Sequence, residues 1–340
     1  MNELLAGKST LNRLELTGRS SRYHKIGYSA EAIDRLLVDL YVESWATPRA
    51  EIVLDLDATD IPLYGHQPER FFHGYYDSYC YLPLNIFAGD QLLCAQLRPA
   101  NQDAAAGSVT EVSRIVAQLR QRRAEVKVIL RADSGFCGEE LMAWCENNQV
   151  EYVFGLARNQ RLQRIIGKQM YEAQTLHQGT GKAARLFSEF EYTTRKSWSR
   201  ARRVVAKAEY LDKGQNPRFR SPPMPGRCSI YTRSSTAPAE MENRIKEQMC
   251  LFADRLSTDE MRGNQLRLYF SVLAYTLVEA LRRLALKGTE RAEARVDTIR
   301  LKLFKIAAIL QVSVRRIVLH MSSAYPCKDI YAQAFHALRC

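Results

Sequence analysis

"VILRADSGFCGEE", residues 128–140, sets the fold problem. A short apolar run, Val128-Ile129-Leu130, stops at Arg131-Ala132 and delivers Asp133, followed by Ser134, Gly135, Phe136 and a stretch with helical texture. An apolar run this short, bounded by turn residues, reads as a buried strand. A carboxylate at its tip followed by a glycine has two readings. One is turn chemistry, with Asp bonding the backbone ahead and Gly supplying positive φ. The other is an acidic site that holds a metal.

The flanking sequence extends the pattern. "EIVLDLDATD" (51–60) alternates Ile52, Leu54 and Leu56 against Val53, Asp55 and Asp57, which reads as a strand. "YYDSYCYLPLNIFAGDQLLCAQLRP" (75–99) reads as two further strands turning at Gly89-Asp90. "DAAAGSVTEVSRIVAQLRQRR" (103–123) repeats Val109, Val112, Ile115, Val116 and Leu119 at helical spacing. The strand 126–134, a helix at 139–148 and a strand at 150–158 follow, with an amphipathic helix at 29–46 ahead of all of them. Three strands, then helix, strand, helix, strand, predict an α/β mixed sheet flanked by helices. That order fits the ribonuclease-H-like plan. No G-x-G-x-x-G follows the first strand and no G-x-x-x-x-G-K-[ST] occurs, so the common nucleotide-binding plans are excluded.

Residues 184–212 alternate like basic β-hairpins, 214–229 is rich in Pro and Gly, 241–257 and 263–286 read as helices, and 301–321 fits a helix or a β-hairpin. The expected domains are a helical remnant of an N-terminal region (1–50), a catalytic core (51–160 and 241–290), a β-rich basic insertion (161–240), and a C-terminal tail packing on the core (291–340). Net charge is +12, which suggests a polyanion as partner. From Arg195 to Arg233 there are 11 Lys/Arg against only Glu209 and Asp212. The eight cysteines include no CxxC and no Cys/His cluster of zinc spacing, a usage that fits a reducing cytoplasm. No run approaches a membrane span and the start has no signal-peptide pattern.

Metal-assisted phosphodiester chemistry needs carboxylates from separate elements to converge, because Mg²⁺ takes hard oxygen ligands and keeps positions open for water and phosphate. Asp57 ends the first strand, Asp133 the fourth, 76 residues on, and Glu242 opens a helix a further 109 residues on. Taken singly, each has an ordinary reading: a strand-end or turn carboxylate for the two aspartates, a first-turn helix glutamate for Glu242. Asp55 competes with Asp57, and Asp60 is a lesser candidate. Lys246 lies one turn from Glu242 and reads as its ion-pair partner or as a phosphate contact. His66 and His73 read as structural. Trp198 reads as a half-buried aromatic or as a base-stacking ring.

The strings "LDLDATD", "HGYYDSYCYLPL", "LRPAN", "VILRADSGFC", "YVFGLARN", "MENRIKE" and "LFADR", in this order, resemble the DDE transposases of bacterial insertion sequences, and more narrowly the insertion-sequence 1380 family. The likeness runs from "LAGKSTLNRLEL" (5–16) to "SSAYP" (322–326). It implies a cytoplasmic, bacterial, metal-dependent enzyme that cleaves DNA at insertion-sequence ends and joins them to target DNA. Asp57, Asp133 and Glu242 would hold two Mg²⁺ ions, for which Mn²⁺ could substitute. Arg195, Lys196, Arg200, Arg202, Arg203, Lys207, Arg244 and Lys246 would contact DNA, and the protein would act as a homodimer in the DNA complex. The alternatives are a ribonuclease-H-like nuclease without strand transfer and an inactive remnant that only binds DNA. Two departures stand out. The family extends further upstream, and its Tyr and Arg ahead of the glutamate fall here on Ser235 and Pro238 within an atypical 218–239 segment, which suggests a local frame disruption or, alternatively, a genuinely divergent loop.

Overall fold

The computed structural model describes residues 26–222 and 237–339. The string at 5–16, Ser235 and most of the atypical 218–239 segment lie outside the described residues. Tyr28–Met241 forms one compact unit, and the described residues from Glu242 onward form a second.

The first unit is built on a nine-stranded sheet. Its middle is made by β1 (Glu51–Ala58), β7 (Lys127–Ala132) and β8 (Glu151–Leu156), which run parallel. β5 (Leu84–Ala88) and β6 (Gln91–Gln96) add antiparallel beside β1, giving the local order β6-β5-β1-β7-β8. This mixed order is compatible with the expected ribonuclease-H-like plan. Gly89-Asp90 forms the tight turn between β5 and β6, with Gly89 at φ 63°, where a Cβ would be strained.

The sheet forms because its middle strands present one continuous apolar face to the core. Leu54, Val128, Leu130 and Phe154 are completely buried, as expected where helices cover parallel strands. α1 (Ala30–Glu43) and α2 (Ser108–Arg122) are tied to each other by Gln118, whose Nε2 donates to Asp39 Oδ1 at 3.0 Å and to the Arg35 carbonyl at 2.8 Å. α2 buries Val112, Ile115, Val116 and Leu119, the stripe expected from its spacing. α3 (Glu139–Asn147) connects β7 to β8. Arg98 is buried, and its guanidinium bonds the carbonyls of Leu82, Ala104 and Ala106, pinning the loop that leads into α2.

Three parts differ from the sequence expectation. Residues 75–99 give three strands rather than two, because β4 (Ser78–Tyr81) leaves the main sheet and pairs with β2 (Ile61–Pro62) and β3 (Phe71–His73) in a small separate sheet. Strands of two to four residues are too short to show a period. The stretch 161–240 does not begin as β structure: α4 (Gln160–Ile165) and α5 (Gly167–Thr180) fill its start. Their signals are local. Asn159 accepts from the Leu162 amide as an N-cap, and Gly181 ends α5 at φ 63°. The β strands that follow are β9 (Ala184–Tyr192), β10 (Arg202–Leu211), β11 (Gly214–Gln215) and β12 (Arg218–Ser221). They extend the main sheet rather than standing apart: β12 pairs with both β8 and β10.

α6 (Ala237–Gln248) leads into the second unit, and its regular turns end at a kink where Phe252 adopts φ 69°. α7 (Met261–Leu284) buries Leu266, Leu268, Tyr269, Val272, Tyr275 and Val278 along one side. Arg282 bonds Glu247 and Glu279 in a largely buried cluster that joins α6 to α7. After α8 (Val296–Ile299) the ambiguous 301–321 stretch resolves as a helical turn at Arg300–Phe304 followed by a hairpin of β13 (Ala308–Val312) and β14 (Ile317–Met321). Every residue of both hairpin strands is exposed. α9 (Lys328–Ala337) closes the described chain.

Candidate active site

The β1–β7 ladder sets the geometry. Its parallel register runs from Glu51 opposite Lys127 to Leu56 opposite Ala132. One step further places Asp57 beside Asp133, at the carboxyl ends of neighbouring strands, where open α/β sheets bind ligands. Side chains alternate along a strand, so Asp55 and Asp57 share a face, as do Arg131 and Asp133.

Asp55 is already committed. Arg131 donates through Nε and Nη2 to its two carboxylate oxygens, both at 2.6 Å. A bidentate pair of this kind is strong and leaves little capacity for a metal, which favours Asp57 over Asp55. Asp57 is half-buried, and Thr59 donates its hydroxyl to Oδ2 at 2.5 Å. Asp133 is exposed, and Oδ1 accepts from the Gly135 amide at 2.9 Å, capping the short turn Ser134–Phe136. Phe136 is buried and anchors that turn in the core. The turn reading is the one seen here: Asp133 caps the turn through one oxygen, just past the carboxyl end of β7.

The glycines answer a different need from the expected one. Gly135 is not among the residues with positive φ. A Cβ there would lie 3.1 Å from both Ala104 Cβ and Asp133 Oδ1, so its value is close approach. Gly155 on β8 is more restrictive: a Cβ would fall 2.9 Å from the Ser134 amide nitrogen and 3.1 Å from the Asp133 carbonyl carbon. β8 thus presses bare backbone against the peptide that carries Asp133. Sequence reasoning missed this, since a lone Gly within a strand signals close approach without naming the partner.

Tyr76 gathers the acids. Its hydroxyl donates to the Ala58 carbonyl at 3.1 Å, and its pKa is pushed up, first by burial and then by the charges of Asp57, Asp60, Tyr75 and Asp133. Asp60, the lesser sequence candidate, belongs to this neighbourhood; burial raises its pKa against the opposing effects of its own amide and of His73. On the other side of the ladder, Arg220 of β12 registers opposite Gly155. Its pKa is lowered by burial and by the charges of Arg218 and Arg131, so positive charge is crowded between β12 and the end of β7. Arg220 was also missed.

The basic residues named from sequence divide into groups. Arg195 and Lys196 are exposed in the β9–β10 loop. Arg200 is paired with Glu146 at 2.6 Å, Arg203 with Glu189 at 2.6 Å, and Lys207 with Glu209 at 2.9 Å. Arg202 departs from the expectation of an exposed phosphate contact: its side chain is only 4% exposed and bonds both Glu139 and Glu146. These bonds hold the Glu139 carboxyl down to about 2. Trp198 is likewise buried, edge-on to Tyr192, with the Arg202 guanidinium over its ring; the base-stacking reading fails there. In the second unit Arg244 is half-buried, and its charge acts on Tyr275 and Glu279 of α7. Glu242 stands on the exposed side of α6, with a side chain 66% exposed and bonded to Lys246 at 2.8 Å, the ion pair expected one turn apart.

Asp57 and Asp133 supply hard oxygen donors suited to a divalent cation. Among the described residues, no three His, Cys, Asp or Glu side chains cluster so as to hold a metal ion. No helix among the described residues is long and apolar enough to cross a membrane.

No curated protein matches the chain. The family described as Transposase DDE domain group 1 does, over residues 1–340. With the match spanning the whole sequence, the chain belongs to the DDE transposase domain family, group 1.

Proposed function

We propose that this protein is a metal-dependent DNA transposase that cleaves phosphodiester bonds at insertion-sequence ends and transfers the freed strand into target DNA. The insertion-sequence 1380 family is the branch its motifs resemble. The reading is supported by the β1–β7 register, which ends at Leu56 opposite Ala132 and so leads Asp57 and Asp133 to the carboxyl ends of neighbouring strands, with Asp55 held by its pairing to Arg131. Asp57, Asp133 and Glu242 would hold Mg²⁺. When bound, such ions activate the attacking oxygen and steady the leaving one.

The chain's own residues do the rest. The Gly135 amide orients Asp133, and Thr59 orients Asp57. Arg220, Arg195 and Lys196 offer cationic groups for phosphates. The ribonuclease-H-like core would comprise 51–160 and 241–290, acting in a cytoplasmic homodimer assembled on DNA. A second reading, a remnant that binds DNA without cutting it, draws on Glu242, which is exposed and already paired with Lys246.

The test is nicking of a supercoiled plasmid that carries the element's ends, with purified protein, in Mg²⁺ and in EDTA. Wild type nicks only with Mg²⁺, and Asp133→Asn reduces nicking by at least about 100-fold, the order of magnitude for removing a group central to transition-state charge stabilisation. Nicking that survives Asp133→Asn sinks the assignment.

A further inference from the structure

The small sheet beside the acid pair has an unusual surface. Between residues 64 and 79 the chain exposes Tyr64, Phe71, Phe72, Tyr75 and Tyr79, with Tyr64 at 96% and Tyr75 at 85%. All are aromatic. The exposed large hydrophobic side chains of the β13–β14 hairpin, by contrast, carry no rings. Exposed rings offer faces on which unpaired bases can stack.

The rings are arranged rather than scattered. Phe72 and Tyr79 face each other across the β3–β4 ladder and meet edge-on at 5.6 Å. The Arg70 guanidinium lies over Tyr79 at 4.5 Å and is braced by the Gly65 carbonyl and His66 Nδ1. Tyr75 meets Tyr76 edge-on at 5.0 Å, and Tyr76 in turn packs on His73 at 4.9 Å. The turn is set firmly: Glu69 and Asp77 take positive φ of 58° and 50° on either side of β3, and the Tyr81 hydroxyl donates to the Pro68 carbonyl at 2.6 Å. Tyr76 is the link inward, since its hydroxyl donates to the carbonyl of Ala58, the residue after Asp57. Tyr75 is therefore one ring away from the end of β1 that carries Asp57.

We infer that Tyr75, Phe72 and Tyr79, with Arg70, form a stacking platform for unpaired nucleotides of the DNA strand whose phosphate lies on Asp57 and Asp133. The occupant is committed by chemistry: rings for bases, a guanidinium for the phosphate backbone, and a phosphodiester-binding edge next door. The inference rests on the proposed function for the presence of DNA at that edge. The stacking role expected of Trp198 thus moves to rings that are open to solvent.

The experiment compares two probes on the full-length protein in EDTA: a blunt DNA duplex, and the same duplex with a short single-stranded overhang carrying 2-aminopurine. Wild type binds the overhang probe about tenfold more tightly than the blunt one, in line with ring stacking on a base, and quenches its fluorescence. Tyr75→Ala together with Phe72→Ala removes the preference and the quench, while Tyr75→Phe keeps both. Both residues are exposed, so the variants fold. Wild type without a preference, or the double variant retaining it, overturns the platform. Self-association of wild type that disappears in the double variant, with no change in overhang binding, overturns it in favour of a protein contact. Failure of the two readings is separable: Mg²⁺-dependent nicking without overhang preference sinks the platform alone, and overhang preference without nicking sinks the transposase reading alone.

Discussion

Replacing Arg202 with methionine separates a structural arginine from a DNA contact. Methionine keeps the apolar stem against Trp198 and deletes the guanidinium. Glu139 then loses bonds of 2.7 and 3.2 Å, and Glu146 loses bonds of 2.7 and 3.0 Å. Removing one partner of a buried ion pair costs about 3–5 kcal/mol. Both acids keep other donors, Glu139 the amide and hydroxyl of Ser199, Glu146 the Tyr152 hydroxyl and Arg200, which points to the lower end. Linkage gives an independent figure. Depression of Glu139 from 4.5 to about 2 has a ceiling of roughly 3.4 kcal/mol, and with its side chain 28% exposed, screening reduces this to about 2 kcal/mol. The expected loss is about 2–3 kcal/mol at pH 7. The sign follows from the depressed pKa: the stabilisation is complete above the unfolded value of 4.5 and fades as pH falls toward about 2. The gap between wild type and variant should therefore narrow from about pH 5 to about pH 3. Urea unfolding followed by tryptophan fluorescence suits the question, because Trp45, Trp144 and Trp198 all lie in the Tyr28–Met241 unit and report on it alone. A loss below about 1 kcal/mol, or one that does not change with pH, refutes the reasoning.

Gly155→Ala should destabilise the same unit by about 1–3 kcal/mol, as overpacking does, and should lower nicking further than the folded fraction accounts for, since the clash falls on the backbone of Asp133 and Ser134. Unfolding curves and specific activity per folded molecule measure the two effects. Arg195→Ala with Lys196→Ala should weaken DNA binding and reduce the slope of log K against log salt by roughly 1.8, about 0.9 for each phosphate that is no longer neutralised. Arg202→Met, by contrast, should leave that slope unchanged.

The main sheet was legible because its strands are long enough to carry a pattern and its helices carry a stripe. The expected strand at 126–134 is β7 at Lys127–Ala132, and the expected helix at 139–148 is α3 at Glu139–Asn147. The two aspartates were legible for the same reason, each standing at the end of such a strand. What was illegible depends on through-space partners. Arg202 sits in a basic run and looked solvated until Glu139 and Glu146, 63 and 56 residues away, closed around it. Gly155 looked like an ordinary strand glycine until the turn at Ser134 was laid against it. The direction of the insertion strands was hidden too, because pairing of β12 with β8 is a property of the sheet and not of either sequence.

The β1–β7 ladder has a historical consequence. Asp57 and Asp133 are located by strand register, which is maintained by Leu54, Leu130 and their buried neighbours for reasons of stability alone. Glu242 has no such guardian: it rides the exposed side of a helix reached through the atypical 218–239 segment. Under the proposed transposase reading, selection for folding alone would keep positions 57 and 133 aligned, whatever side chains they carried, long after selection for transposition had lapsed. In an ageing element the alignment of those two positions should therefore be the last feature of the proposed site to drift, and the path to Glu242 the first.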